Sequence, residues 1–372
     1  MSIYFDNAAA APCDPELLSC FSTVAGTFPG NQESMGYHGT LAAARIREKS
    51  SELLSSFRFS GITPLFGNSG TEILALAAET ACIAAGRGEV ITTTLEHPAL
   101  EFAVRRSCSR HHRQLKLCPA DHSGVRLDIL KSMLSKQTAV LAVHHVQSET
   151  GGILNLADIR SMLDRLAPNA LLLVDTMQSI GKIPFDAAAV RPDFFTLSGQ
   201  KIGAPGGAIL FCTDHHLKTA RALRTAEHFG GRCPVPVILT LLEGAILSAR
   251  TQTENHTHAL RLKRLLTAAL MKNGLQFPQT MPENAASPFI MHLLTAPYQG
   301  SILTRALHQY EISVAPGSAC ESETPDGSRA LTAMGYSRKD SFCGLRISFW
   351  KENTPEEIQY FSEKFADIVK NY

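Results

Sequence analysis

Short apolar runs alternate with helical patterns between about residues 60 and 215, and this alternation constrains the fold more than any other feature. Each run is followed by small or polar residues; the runs cover residues 63–66, 90–93, 139–143, 171–174, 194–197 and 207–211. Strands that are apolar throughout are typical of a mostly parallel sheet with helices on both faces. In such sheets, ligands bind beyond the carboxyl ends of the strands. The sequence therefore predicts an α/β fold with its functional residues at that edge.

The pattern changes in the last third of the chain. Residues 234–273 form one long helical pattern, and beyond them strand-like runs at 289–294, 312–314 and 345–349 mix with two helices. A chain of 372 residues is long enough for two domains. We expect a large domain over residues 15–250, and a small α+β domain over residues 1–14 and 251–372.

The composition argues against several classes of protein. Lys and Arg number 35 against 34 Asp and Glu, so no nucleic-acid-binding surface is indicated. The chain has no run of 18 apolar residues, and its first residues lack the features of a secretory signal, so we expect no membrane partner. The nine cysteines include no Cys-x-x-Cys pair, which indicates no zinc site and favours a reducing, cytoplasmic setting.

Two residues at strand ends indicate a pyridoxal 5′-phosphate (PLP) site. Lys201 follows the run 194–197 in a small turn, and Asp175 ends the run 171–174, 26 residues earlier. A lysine in such a turn can form a Schiff base with the aldehyde of PLP. An aspartate at a neighbouring strand end can keep the pyridine nitrogen protonated, which makes the ring an electron sink. A lone lysine would be weak evidence, and the pair in this order is much stronger.

Other strand ends carry residues that fit the same site. Residues 67–72, Gly-Asn-Ser-Gly-Thr-Glu, lie between a strand and a helix, where backbone N–H groups can bind a phosphate. The alternative is an ordinary helix cap by Ser69 or Thr71. His97 can stack on a cofactor ring and relay protons, or simply begin a helix. Beside Lys201 and Asp175 we favour the catalytic role for His97.

Cys320 and Arg346 lie in the last third of the chain. Cys320 is flanked by small and turn-forming residues that predict an exposed loop, which favours a reactive nucleophile. Arg346 interrupts an apolar strand and fits either a substrate carboxylate or a structural ion pair. Three histidine doublets, at 111–112, 144–145 and 215–216, lack metal-ligand spacing, and we expect them to be surface or structural residues.

Together these residues resemble the class V aminotransferase family of fold-type I PLP enzymes, and most closely the NifS/IscS-like cysteine desulfurases. The resemblance covers nearly the whole chain. The segments that carry it are 5–12, 30–38, 69–72, Glu96-His97, 145–149, 175–182, 198–201, 317–320 and Arg346. It implies a large domain with a mostly parallel seven-stranded sheet and a small α+β C-terminal domain.

The resemblance also implies roles for individual residues. Lys201 would be the Schiff-base lysine, Asp175 the partner of the ring nitrogen and Gln178 the partner of the phenolic oxygen. The residues that it places around the cofactor are Gly70, Thr71, Ser148, Asp175, Gln178, Ser198, Gln200, Lys201 and Arg232. Asn31 and Arg346 would bind substrate, and Lys201, His97 and Cys320 would be catalytic.

As a desulfurase, the protein would convert L-cysteine to L-alanine and carry the sulfur as a persulfide on Cys320. Relatives of this kind are homodimers that pass sulfur to an acceptor protein, such as a scaffold for iron–sulfur clusters. Several segments depart from the family pattern. Ser148 replaces an asparagine, Gln200 replaces a histidine, and Arg232 takes the place of a threonine that in relatives reaches the phosphate across the dimer interface.

Three alternatives stay open at this stage. The chain could be another class V PLP enzyme that acts on selenocysteine, cystine or a cysteine conjugate. It could be an aminotransferase. It could also be a degenerate PLP-fold protein that acts as a binding partner.

Overall fold

The computed structural model describes residues 2–224, 232–317 and 327–372. The strands are β1 Ile3–Tyr4, β2 Ile62–Gly67, β3 Glu89–Thr93, β4 Leu115–Cys118, β5 Ala120–Asp121, β6 Gly124–Val125, β7 Thr138–His144, β8 Leu171–Asp175, β9 Phe194–Ser198, β10 Ala208–Thr213, β11 Ile290–Leu294, β12 Ile312–Ser313 and β13 Gly344–Ser348. The helices are α1 Pro15–Thr27, α2 Tyr37–Ser56, α3 Gly70–Ala84, α4 Pro98–Arg110, α5 Leu127–Met133, α6 Leu156–Leu166, α7 Ala187–Val190, α8 Leu217–Leu223, α9 Val235–Lys272, α10 Gly300–His308, α11 Arg329–Ala333, α12 Arg338–Ser341 and α13 Pro355–Lys370.

The centre of the molecule is a seven-stranded sheet in the order β2-β10-β9-β8-β7-β3-β4. The pairs β9–β8, β8–β7, β7–β3 and β3–β4 are parallel, and β10 runs antiparallel to both of its neighbours. This arrangement confirms the predicted α/β class and the mostly parallel sheet. The carboxyl ends of β2, β3, β7, β8 and β9 consequently meet at one edge.

Helices cover the sheet on both faces, as the apolar strands predict. Leu172 and Val174 of β8 pack into a core shared with α1, α2 and α9, whereas Leu173 between them packs into a second core with α3, α4 and α8. Successive side chains of a strand point to opposite faces, so a strand buried on both sides must be apolar at every position.

The remaining strands form small sheets around the chain termini. β11 pairs antiparallel with β13, and β1 pairs parallel with β12. Asp6 continues the N-terminal strand alongside Ser348 at the end of β13. The expected domain boundary at residue 250 lies inside the unbroken helix α9. The division into two domains stays a prediction.

Side-chain caps fix where several helices begin. Asp14, Ser69, Asn155 and Thr354 each accept a hydrogen bond from a backbone N–H in the first turn of the following helix. Within the described ranges, no helix combines the length and the apolar character needed to cross a membrane.

Candidate active site

A cavity of about 290 Å³ opens at the carboxyl edge of the central sheet. Most of the sequence-predicted site residues line it: Gly70, Thr71, His97, Ser148, Asp175, Gln178, Ser198, Gln200, Lys201 and Arg346. They come from the segments that follow β2, β3, β7, β8 and β9, and from β13. The rule that ligands bind beyond the carboxyl ends of parallel strands therefore locates this cavity from sequence alone.

Lys201 lies in a tight turn directly after β9. Its Nζ donates a hydrogen bond to the carbonyl oxygen of Ala8 at 2.9 Å and a second one to the carbonyl oxygen of Ala9. Gly199 makes the turn possible, because a Cβ atom there would lie 2.2 Å from the carbonyl oxygen of Gly206. The N-terminal segment thus closes the cavity beside the lysine.

Asp175 is the last residue of β8 and is only 8% exposed. Its Oδ1 accepts hydrogen bonds from the backbone N–H of Met177 at 3.0 Å and from the hydroxyl of Thr196 at 3.3 Å. Its Oδ2 has no hydrogen-bond partner among the described residues. A buried carboxylate with one open oxygen at a cavity wall can accept a hydrogen bond from a cationic N–H group.

The first turn of α3 forms the part of the cavity wall next to Ser198. Ser69 caps the helix by accepting from the backbone N–H of Glu72 at 3.2 Å, so the ordinary cap expected as the alternative is present. The cap does not prevent anion binding, since a helix of 15 residues directs its positive end toward the cavity. A Cβ atom on Gly70 would lie 2.7 Å from Sδ of Met177, so the turn leaves room only for glycine unless Met177 moves.

Gln178 is held in place from two sides. Its Nε2 donates to the carbonyl oxygen of Ala8 at 2.8 Å, and its Oε1 accepts from Nζ of Lys182 at 3.0 Å. Lys182 is 2% exposed, and burial, together with the positive charges of Lys201 and Arg346, lowers its pKa to about 7. Lys182 therefore fixes the orientation of the Gln178 amide. The sequence motif contains this lysine, but nothing in it indicated that role.

Arg346 in β13 is 2% exposed and forms the ion pair that was one of the two expectations for it, while binding of a substrate carboxylate stays a prediction. It lines the cavity, and it also forms an ion pair, because its Nη2 donates to Oδ1 of Asp6 at 2.6 Å. Its Nη1 donates to the carbonyl oxygen of Ser148 at 2.9 Å. The ion pair ties the N-terminal segment to the wall of the cavity.

His97 begins α4 and lines the cavity at the same time. Its Nδ1 accepts from the backbone N–H of Ala99 at 3.1 Å. A neutral His97 ring therefore carries its proton on Nε2, which fits a proton donor.

His144 is a cavity residue that sequence reasoning missed. Of the two expected settings, surface or structural, the buried structural one fits, since the side chain of His144 is 6% exposed and pairs with Glu96, and it also lines the cavity. The signal was available, since His144 ends the apolar strand β7 just as Asp175 ends β8. The other doublets fit a structural role; for example, Nε2 of His111 lies 2.8 Å from Oε1 of Glu79.

Two predicted site residues, Arg232 and Asn31, do not line this cavity. Arg232 is 61% exposed at its side chain and is paired with Glu33 at 2.8 Å, and Asn31 caps the same loop through a 3.0 Å bond to the Glu33 N–H. Neither residue lines the cavity, so their roles stay predictions. Cys320 belongs to residues 318–326, outside the described part of the chain. In that described part, no three His, Cys, Asp or Glu side chains gather as a metal site would require.

Comparison with known proteins identifies the family. The family model for class V aminotransferases matches residues 3–361. The chain belongs to the class V aminotransferases. Among relatives of this class V chain, the cysteine desulfurase IscS of Aeromonas salmonicida is 28% identical over 99% of this chain and 93% of its own. The putative cysteine desulfurase IscS 1 of Bacillus subtilis is 26% identical over 99% of this chain and 98% of its own.

Solved structures share the fold of this class V chain. A NifS-like protein superposes with a TM-score of 0.88 at 24% identity and covers all of both chains. The cysteine desulfurase of Thermococcus onnurineus superposes with a TM-score of 0.83 at 18% identity, over all of this chain and 95% of its own. These likenesses establish the predicted fold-type I architecture.

Class V aminotransferases work with PLP, and the residues of this cavity fit that cofactor. Asp175 keeps an oxygen open for a protonated ring nitrogen, and Lys201 brings a primary amine to the same cavity. Gly70 leaves the start of α3 accessible to an anionic group. The donor set thus suits an aldehyde, a pyridine nitrogen and a phosphate, the three polar ends of PLP.

Proposed function

We propose that this protein is a PLP-dependent cysteine desulfurase that converts L-cysteine to L-alanine and carries the sulfur as a persulfide on Cys320. The observation that carries the proposal is the meeting of Lys201, Asp175 and Arg346 in one cavity of about 290 Å³. An amine, a carboxylate and a guanidinium in that arrangement suit a cofactor aldehyde, its ring nitrogen and an amino-acid carboxylate. The desulfurase relatives at 26–28% identity support the choice of L-cysteine.

Five residues would hold the cofactor in this cavity: Lys201, Asp175, Gln178, Ser198 and Gly70. When bound, the cofactor supplies an electron sink next to the substrate Cα. Arg346 binds the substrate carboxylate through its guanidinium group. Since Nη2 of Arg346 already donates to Asp6, the substrate carboxylate must share the guanidinium with that side chain or displace it.

Lys201 is the base that removes the Cα proton, because it brings a primary amine into the same cavity as Arg346. The thiolate of Cys320 then attacks the substrate sulfur. A sulfur–sulfur bond forms, the carbon–sulfur bond breaks, and its electron pair stays with the substrate carbon, which takes a proton to become the alanine methyl group. We assign the proton donated in this step to Nε2 of His97, because Nδ1 of that ring already accepts a hydrogen bond. Lys201 then returns the proton to Cα, which completes L-alanine.

The persulfide must leave through a second protein. We propose a sulfur-acceptor protein, such as an iron–sulfur scaffold, as the partner. A homodimer with PLP sites completed across the interface is part of the same proposal. Arg232, on the surface beside Glu33, would be the residue that reaches the partner's cofactor phosphate.

Alanine release from L-cysteine tests the proposal. PLP-loaded wild type should release alanine in the presence of a reductant, and Cys320→Ala should not. Cys13→Ala, which removes a part-buried thiol outside the cavity, is the matched control and should keep wild-type activity. Equal alanine release by Cys320→Ala would contradict the role of that cysteine.

The products also separate the alternatives. Pyruvate and ammonia would indicate a C–S lyase, and accumulation of pyridoxamine phosphate would indicate an aminotransferase. A purified protein that takes up no PLP would favour a non-catalytic partner protein.

A further inference from the structure

Four titratable side chains stand in a row along the carboxyl edge of the sheet. The neighbouring strands β9, β8, β7 and β3 lead in order to Lys201, Asp175, His144 and Glu96. The proposed reaction uses the first two. His144 and Glu96 have no role in it so far.

His144 and Glu96 form an ion pair that is closed to solvent. Nδ1 of His144 lies 2.9 Å from Oε1 of Glu96, and the two side chains are 6% and 0% exposed. The hydroxyl of Thr93 donates to the same Oε1 at 2.6 Å, while Oε2 of Glu96 is buried without a hydrogen bond to any described residue. A buried carboxylate with so few donors is costly unless a cation balances it. Protonation of His144, whose Nδ1 contacts Oε1 of Glu96, would supply that charge.

The pair adjoins Asp175. His144 and Asp175 are direct partners in the register of the parallel strands β7 and β8, so their side chains point to the same face. Both line the cavity. Burial alone would lower the pKa of His144, but the carboxylates of Glu96 and Asp175 outweigh it and raise that pKa above its usual value. His145, the other titrating neighbour, has a lowered pKa and stays neutral at pH 7.

We propose that His144 is a positioning residue of the PLP site, which balances the charge of Glu96 and so sets how strongly Asp175 holds a protonated ring nitrogen. This inference rests on the proposed function. With the pair intact, the charges of His144 and Glu96 cancel, and the negative charge of Asp175 remains next to the ring. Without the imidazolium, the uncompensated carboxylate of Glu96 adds a second negative charge near the ring and favours protonated forms of the cofactor.

The pH dependence of the bound cofactor's absorbance tests this inference. In His144→Gln, the midpoint of the absorbance change should rise by about one pH unit, the order of magnitude for one extra charge at this range. The double variant with Glu96→Gln removes both charges and should return the midpoint to the wild-type value. His145→Phe is the matched control, because His145 is an equally buried neighbour that does not line this cavity, and it should leave the midpoint unchanged.

An unchanged midpoint in His144→Gln, or a double variant that stays shifted, would overturn the inference. If the wild type takes up no PLP, the proposed function fails. NMR titration of the imidazole resonances in the cofactor-free protein still tests whether His144 and Glu96 form a charged pair. His144 should be protonated at pH 7 in wild type and neutral in Glu96→Gln. A neutral His144 in the wild type would refute the charge balance.

Discussion

Acidification from pH 7 to pH 5 should destabilise this protein, and His145 should account for about 2 kcal/mol of the loss. His145 is 7% exposed, and Nδ1 of its ring is buried without a hydrogen bond to a described residue. Burial and the nearby charge of His144 lower its pKa to about 4. The imidazole must therefore stay neutral in the folded state at pH values where it is protonated in the unfolded chain.

The sign and the size follow from proton linkage. Between the folded pKa of about 4 and the unfolded value of about 6.5, the unfolded state binds more protons, so stability is fully present above pH 6.5 and falls as the pH decreases. At pH 5, protonation of His145 stabilises the unfolded state relative to the folded state by about 2 kcal/mol. At pH 7 the same effect is only a few tenths of a kcal/mol.

Urea unfolding of wild type and His145→Phe at both pH values measures the effect. Phenylalanine keeps an aromatic ring beside Phe185 and removes the titrating group. The free energy of unfolding should fall between pH 7 and pH 5 by about 2 kcal/mol less in the variant than in wild type. His215→Gln, which changes an exposed histidine, should leave the wild-type pH dependence unchanged. Equal losses in wild type and His145→Phe would refute the reasoning.

Three further substitutions test the cavity and the contacts that stabilise the fold around it. Gly70→Ala should weaken PLP binding about tenfold in a fluorescence titration with the fold retained, because the new Cβ pushes Met177 toward the cofactor space. Asp6→Asn should lower stability by about 2 kcal/mol, because Arg346 loses its paired charge. Added L-alanine, whose carboxylate can replace that charge, should then raise the melting temperature of the variant more than that of wild type. Thr354→Ala should cost about 1 kcal/mol in urea unfolding, because it removes the capping box of α13.

Much of the fold could be predicted because the strands are apolar on both faces. The run 139–143 became β7 Thr138–His144, and the run 171–174 became β8 Leu171–Asp175. The direction of β10 is harder to predict from the sequence, since an apolar run has the same pattern in a parallel and in an antiparallel strand. The short link from β9 to β10 carried that information, because a parallel pair needs a crossover of a dozen or more residues.

The position of a cavity residue could be predicted where a reactive side chain directly follows a strand, as for Lys201 and Asp175. Contacts between distant parts of the chain were not. The pair of Arg346 with Asp6 joins residues 340 positions apart, and only the folded chain shows it. His144 was missed because a histidine doublet was judged by metal-ligand spacing, whereas its place at the end of β7 carried the signal.

The most direct test of the account is to locate the cofactor on the chain. The protein is incubated with PLP, reduced with borohydride and digested, and the modified peptide is identified by mass spectrometry. The account predicts a single attachment at Lys201 and none in Lys201→Ala. Attachment at Lys182, the buried amine with a pKa of about 7, or no attachment at all, would contradict it.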